Sequence, residues 1–203
     1  MRRLLRRGPP LSHGFEAPDG RVTMPGFEGT LSSEARWDLI DYLRAHNAGE
    51  SLRTTGKWSH PLQVPQFDVA CGDGRTIDLD DLHGRVLRIV ALSGDAATAP
   101  VPQIATGVTT IILTKKRTAR PEPAMCVASE PETWTAFAVL SGVSSDALAG
   151  EQVLVDQNAW LRAVWRPGDP DNWMDVRELT ATVRDVTAHP IAAGATGVHL
   201  HRQ

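Results

Sequence analysis

The order of residue patterns predicts an α/β sandwich with a mixed central sheet, and three observations carry that class. Arg85–Leu92 and Val108–Leu113 are near-continuous runs of β-branched and aliphatic residues, the pattern of strands covered on both faces. Helical periodicity lies between and after the later strands, at Pro131–Leu140 and Asp175–Ala188. A hairpin pattern at Gln152–Trp165 separates those two helices, so strand–helix–strand order is followed by a hairpin and a helix.

The elements follow in order. Residues 1–30 are rich in Gly, Pro and Arg and show no periodicity. Ser32 then offers an N-cap and Glu34 a first-turn negative charge. Ala35, Leu39 and Leu43 recur at helical spacing, with Trp37 and Ile40 widening the stripe, and Asn47-Ala48-Gly49 supplies a stop. A helix of that length is too short to stand without a partner. Residues 51–62 read as a linker. Gln66–Ala70 is a short strand, Cys71-Gly-Asp-Gly74 a hairpin turn, Arg75–Leu79 the returning strand, and Asp80–Gly84 a single helical turn. Pro at the first turn marks the start of the Pro131–Leu140 helix, whose face is Trp134, Phe137 and Ala138. Gln152–Val155 and Trp160–Trp165 are strands joined by a turn at Asp156-Gln-Asn158, and Val176, Leu179, Val183 and Val186 fall in phase on the last helix. The domain plan is therefore residues 1–50, a linker 51–62, the sandwich 63–190 and a tail 191–203.

Composition narrows the function classes. The 203 residues are 41% hydrophobic and 22% charged, an ordinary globular balance. No apolar run reaches the ~18 residues that a membrane span needs. The net charge of −3 conceals Arg2, Arg3, Arg6 and Arg7; without them 17 basic face 24 acidic side chains, a poor body for nucleic acid. Met1–Pro10 is basic but lacks the ~7–15-residue apolar stretch of a signal peptide. The expectation is a cytoplasmic chain, or a periplasmic one where it is part of a longer exported protein.

Two stretches resemble known families. Val22-Thr-Met-Pro-Gly-Phe-Glu-Gly-Thr-Leu-Ser-Ser-Glu-Ala-Arg-Trp-Asp-Leu-Ile-Asp-Tyr-Leu-Arg44 resembles the C-terminal third of a class I c-type cytochrome. The resemblance implies that Met24 stands at the axial sulfur position of haem c. The CxxCH that binds haem in that family is absent, so haem c is implied only with such a motif upstream, and residues 1–50 read as a fragment. Val64-Pro-Gln-Phe-Asp68, Gly74–Val86 and Val153–Ala163 resemble the thioredoxin-like superfamily, in its peroxiredoxin and cytochrome-maturation branch. In that family a catalytic Cys follows the first central strand and a cis-Pro precedes the later one. This chain reads Ser93-Gly-Asp-Ala-Ala-Thr-Ala99 and Ala149-Gly150-Glu151 at those points, so the resemblance implies a domain without thiol catalysis. The combination of both stretches is similar to the soluble part of bacterial copper-resistance membrane proteins.

Residues of chemical interest are few. Cys71 and Cys126 stand 55 residues apart without a CxxC, the spacing of separate thiols rather than of a disulfide or zinc site. Neither lies at a helix N-terminus or beside a basic cluster that would activate it. His199 and His201 form an HxH pair whose imidazoles fall on one side of an extended segment at ~6–7 Å, a geometry that suits copper when other donors join. His13, His46, His60, His83 and His189 are dispersed and read as solvent-facing. Trp160, Trp165 and Trp173 read as core or edge cover, and Arg162 and Arg166 against Asp169 and Asp171 as a surface pair of little weight. No catalytic residue is assigned. The function expected is a non-catalytic thioredoxin-like accessory module of a cytochrome c electron-transfer or copper-handling system. It would work with a protein partner in that assembly, with residues 30–48 as a surface for self-pairing. The alternative is an atypical thiol peroxidase or oxidoreductase using Cys71 or Cys126.

Overall fold

The computed structural model describes residues 10–16, 22–23, 30–94, 107–115 and 126–193. The chain divides into two compact units, Met1–Arg44 and Ala45–Gln203. In the first, β1 (Pro10–Glu16) and β2 (Val22–Thr23) form a two-stranded antiparallel sheet where the sequence shows no periodicity. The helix α1 (Ser33–Thr55) begins in this unit, and Ser32 caps it by accepting the Ala35 N–H at 3.0 Å.

The second unit is built on a seven-stranded mixed sheet. Its strands are β3 (Val69–Cys71), β4 (Thr76–Ile77), β5 (Val86–Leu92), β6 (Val108–Thr114), β7 (Cys126–Ala128), β8 (Gln152–Val155) and β9 (Leu161–Trp165), in the spatial order β4-β3-β7-β6-β5-β8-β9. β5, β6 and β7 run parallel, while β3 joins β7 and β8 joins β5 in antiparallel sense. The α/β class with a mixed sheet flanked by helices, expected from the sequence, is the fold observed.

Alternation along β5 explains why the sheet sits at the centre. Leu87, Ile89 and Ala91 enter a large core with Phe67, Trp134, Phe137 of α2 (Pro131–Ser141) and Ala45 and Ala48 of α1. Val86 enters a second core with Trp165, Trp173 and Leu179, Val183 and Val186 of α3 (Val176–Ala188). Val90 joins a third with Ile112 and Val127. The tryptophan expectation holds: Trp160, Trp165 and Trp173 are buried. Asp175 caps α3, accepting the Arg177 N–H at 2.7 Å.

Two expectations about α1 need correction. The helix does not stop at Asn47-Ala48-Gly49 but continues into the segment read as a linker, ending at Gly56, whose N–H bonds Leu52 O at φ +73°. Gly49 marks a helix contact, not a stop. A Cβ there would lie 2.0 Å from Val139 O and 2.8 Å from Gly142 N, so only glycine admits the α2 backbone at this distance. The apolar face also differs, since Leu43 is 48% exposed while Ile40, Ala45, Ala48 and Leu52 are buried. In the second half of α1, packing of Ala45 and Ala48 into the large core and of Gly49 against α2, which the local pattern does not contain, selects the buried side.

Candidate functional site

The carboxyl end of β5 is the point where the resemblance put a missing thiol. Beyond Leu92 the chain turns at Gly94, with φ +117°, and Thr114 Oγ1 at the end of β6 donates to Gly94 O at 2.9 Å. The segment before β8 closes onto the same strand: Gly150 N–H bonds Ala91 O at 2.8 Å, and Ala91 N–H bonds Glu151 O at 2.9 Å. Among the described residues no peptide bond is cis, which agrees with the absence of Pro from Ala149-Gly150-Glu151. Residues 95–99 of the Ser93–Ala99 stretch lie outside the described residues.

A carboxylate occupies this end of the sheet instead. Glu151 is 3% exposed and accepts from Arg166 Nε at 2.8 Å. Arg166 also donates to Ser141 O at 2.5 Å, and its own N–H bonds Asp169 Oδ2 at 2.7 Å. Burial pushes the Glu151 carboxyl above its ordinary value, against the opposing pull of Arg166 and the nearby Ser141. Ser141 Oγ and Glu151 Oε2 are both sealed from solvent, yet no hydrogen bond of good geometry reaches either.

The arginine expectation is thereby corrected. Arg166 pairs with Glu151 and Arg162 with Asp156, both buried carboxylates supplied by β8 and its margins, rather than forming a surface set with Asp169 and Asp171. A third arginine was hidden in an apolar strand. Arg88 is 1% exposed within β5, donates to Gln152 Oε1 at 2.9 and 2.6 Å and to Trp173 O at 3.1 Å, and burial pulls its pKa down to about 10.

A testable consequence concerns Glu151. Because its folded-state pKa is raised, the folded chain binds more protons here than the unfolded chain over the pH window between the ordinary and the raised value. Stability from this group is therefore present at low pH and declines as pH rises through the folded value. Glu151→Gln keeps an acceptor for Arg166 while copying the neutral form. Chemical denaturation from pH 4 to 8 should show the variant gaining on the parent as pH rises; a gap that is flat or narrows would refute the assignment.

The two cysteines are not separate thiols. Cys71 and Cys126 are disulfide-bonded, with Cα atoms 4.1 Å apart. Cys71 lies in β3 rather than in the following turn, directly opposite Cys126 at the start of β7. Its N–H bonds Arg75 O at 2.8 Å and its C=O accepts from Gly74 N at 2.9 Å, so both backbone groups are used within the hairpin. The pairing with Cys126 is therefore of the non-hydrogen-bonded kind, in which facing Cα atoms come to about 4.5 Å. The sequence holds no further cysteine.

Met24, His199 and His201 lie outside the described residues. Among the described residues no cluster of three or more His, Cys, Asp or Glu side chains is placed to hold a metal. No helix among them is long and apolar enough to cross a membrane. His46, His83 and His189 are exposed, as expected, whereas His60 is half-buried.

No protein-family model and no curated relative matches the chain. Solved structures do. It is similar to Prx1a of Plasmodium yoelii at 12% identity, over 66% of this chain and 94% of that one, with a TM-score of 0.48. It is similar to BsSco, a member of the Sco family of cytochrome c oxidase assembly proteins, at 12% identity, over 62% and 94%, with a TM-score of 0.42. It is also similar to the exposed lipoprotein thioredoxin Etrx1 of Streptococcus pneumoniae at 13% identity, over 59% and 98%, with a TM-score of 0.40. At these identities and TM-scores the likenesses bear on neither family nor chemistry.

Proposed function

We propose that the domain is a thioredoxin-like accessory module that works by binding, without thiol turnover, in an electron-transfer or copper-handling assembly. One observation carries the reading: the stretch after β5 has no cysteine, and both cysteines of the chain are joined to each other between β3 and β7. An attacking thiolate is thus missing from the end of the sheet where the resemblance would put it. A disulfide also favours an oxidising compartment, which supports the periplasmic alternative.

Haem c does not fit the residues present. Its two thioether bonds need two cysteines of a CxxCH, and the only pair stands 55 residues apart in a bond of its own. Met24 then has no haem to ligate within this chain. Copper, in this reading, belongs to His199 and His201, and residues 30–48 serve a protein partner or a second copy.

The test is enzymatic. With dithiothreitol as donor, neither insulin reduction nor peroxide consumption should exceed the buffer rate. Turnover that disappears in Cys126→Ser would favour the second reading, an oxidoreductase using the Cys71–Cys126 pair, for which the observed disulfide is the supporting feature.

A further inference from the structure

We propose that Cys71–Cys126 is a thiol–disulfide exchange site, opened by a dithiol reductant, that latches the β3–β4 hairpin tip to the sheet. The inference goes beyond the accessory reading, because the exchange is stoichiometric and switches the shape of an edge.

The strand register shows why this bond is the latch. β3 meets β7 at only two positions, Ala70↔Val127 and Cys71↔Cys126. At the second, the backbone groups of Cys71 face β4, so no ladder hydrogen bond of its own holds Cys71 to β7. The sulfur bridge is the direct tie at this end of the pairing. What lies beyond it is the tip: Asp73, Gly74, Arg75 and Thr76 are exposed. What lies before it is firmly held, since Phe67 and Val69 are buried in the large core. Cutting the tie therefore loosens Cys71–Thr76, while Val69 in β3 and its partner Ile77 in β4 stay anchored to the large core.

Access is one-sided. Cys126 is half-buried whereas Cys71 is buried, so an incoming sulfur meets Cys126 first. A thiolate of the reductant attacks Cys126 Sγ, the S–S bond breaks, and its electron pair leaves on Cys71 Sγ, which takes up a proton. The second thiol of the reductant attacks the mixed disulfide, frees Cys126 as a thiol and closes the reductant into a cyclic disulfide. Two electrons and two protons pass to the protein, and an oxidised dithiol reverses the sequence.

The full chain tests this without denaturant. Dithiothreitol is titrated in, free thiols are trapped by alkylation and counted by mass spectrometry, and backbone hydrogen exchange is followed by peptide. Both cysteines should become alkylated, and exchange in residues 71–76 should quicken by about tenfold or more, while β5 and β8 stay within about twofold. Oxidised dithiothreitol should restore the slow rates, and Cys71→Ser/Cys126→Ser should show the fast ones regardless of reductant. A bond that resists reduction until denaturant is added would overturn the proposal. So would reduction with no change at 71–76, or one that speeds exchange evenly across the sheet. Insulin turnover run beside it separates the two readings, since turnover sinks the accessory function and leaves the latch to the exchange data.

Discussion

Replacing Asp156 with Ala should destabilise the domain by about 3–5 kcal/mol, the cost of leaving three backbone N–H groups and the part-buried Arg162 without their buried acceptor. Asp156 is 1% exposed, and its two oxygens serve four donors. Oδ1 accepts the N–H groups of Asn158 and Trp160, each at 3.0 Å, and so folds the turn between β8 and β9. Oδ2 accepts Arg162 at 3.1 Å and the Ile191 N–H at 2.9 Å, which ties the segment after α3 to the same turn. The turn contains Ala159 at φ +64°, a left-handed residue that is not glycine, so a carboxylate is holding backbone that would not hold itself. Asp156→Asn keeps an acceptor but presents an NH2 group to the Oδ2 donors, and should cost roughly 1–3 kcal/mol. Urea denaturation followed by tryptophan fluorescence measures both, with Trp160 beside the turn as reporter. An Ala variant within about 1 kcal/mol of the parent would show that water replaces the carboxylate and that the network does not hold the turn.

That network was only half legible in the sequence, and the reason is instructive. The turn at Asp156-Gln-Asn158 follows from local chemistry, because an Asx side chain can bond the backbone two residues on. The partners Arg162 and Ile191 come from β9 and from beyond α3, and no local pattern announces them. The same division runs through the fold. β5 and β6 are readable because burial in the centre of the sheet writes a near-continuous aliphatic and β-branched run, and α3 is readable because Asp175 caps a one-sided stripe ending at Val186. Gly49 reads as a stop in the sequence because a glycine that ends a helix and one that admits a neighbouring helix look alike until the neighbour is placed. Glu151 and Arg88 carry no local signal, because a buried charge inside an apolar context is recognised only by its partners. For the candidate site, the lack of a thiol after β5 stood in the sequence, but the meeting of Cys71 with Cys126 did not. It depends on β7 pairing between β6 and β3, a crossover that spacing alone does not encode.

Removing that bond should cost about 4 kcal/mol of global stability, which is the loop-closure entropy of a crosslink spanning 55 residues. The effect lies mostly in the unfolded chain. With the bridge in place, the unfolded ensemble must keep β3 and β7 ends together across β4, β5 and β6; without it, that restriction is gone and unfolding gains entropy. The native state loses little, because Val69 and Val127 stay packed in their cores. A drop of this size should lower Tm by roughly 8–16 °C for a chain of this length. Cys71→Ala/Cys126→Ala is the variant to use, since alanine leaves no unpaired polar hydroxyl beside the core. The denaturant m value should rise with the loss of the bridge, because a less constrained unfolded chain exposes more surface. A variant with unchanged Tm and unchanged m would mean that the bond does not form in the folded protein, and separate thiols at Cys71 and Cys126 would then be the correct description.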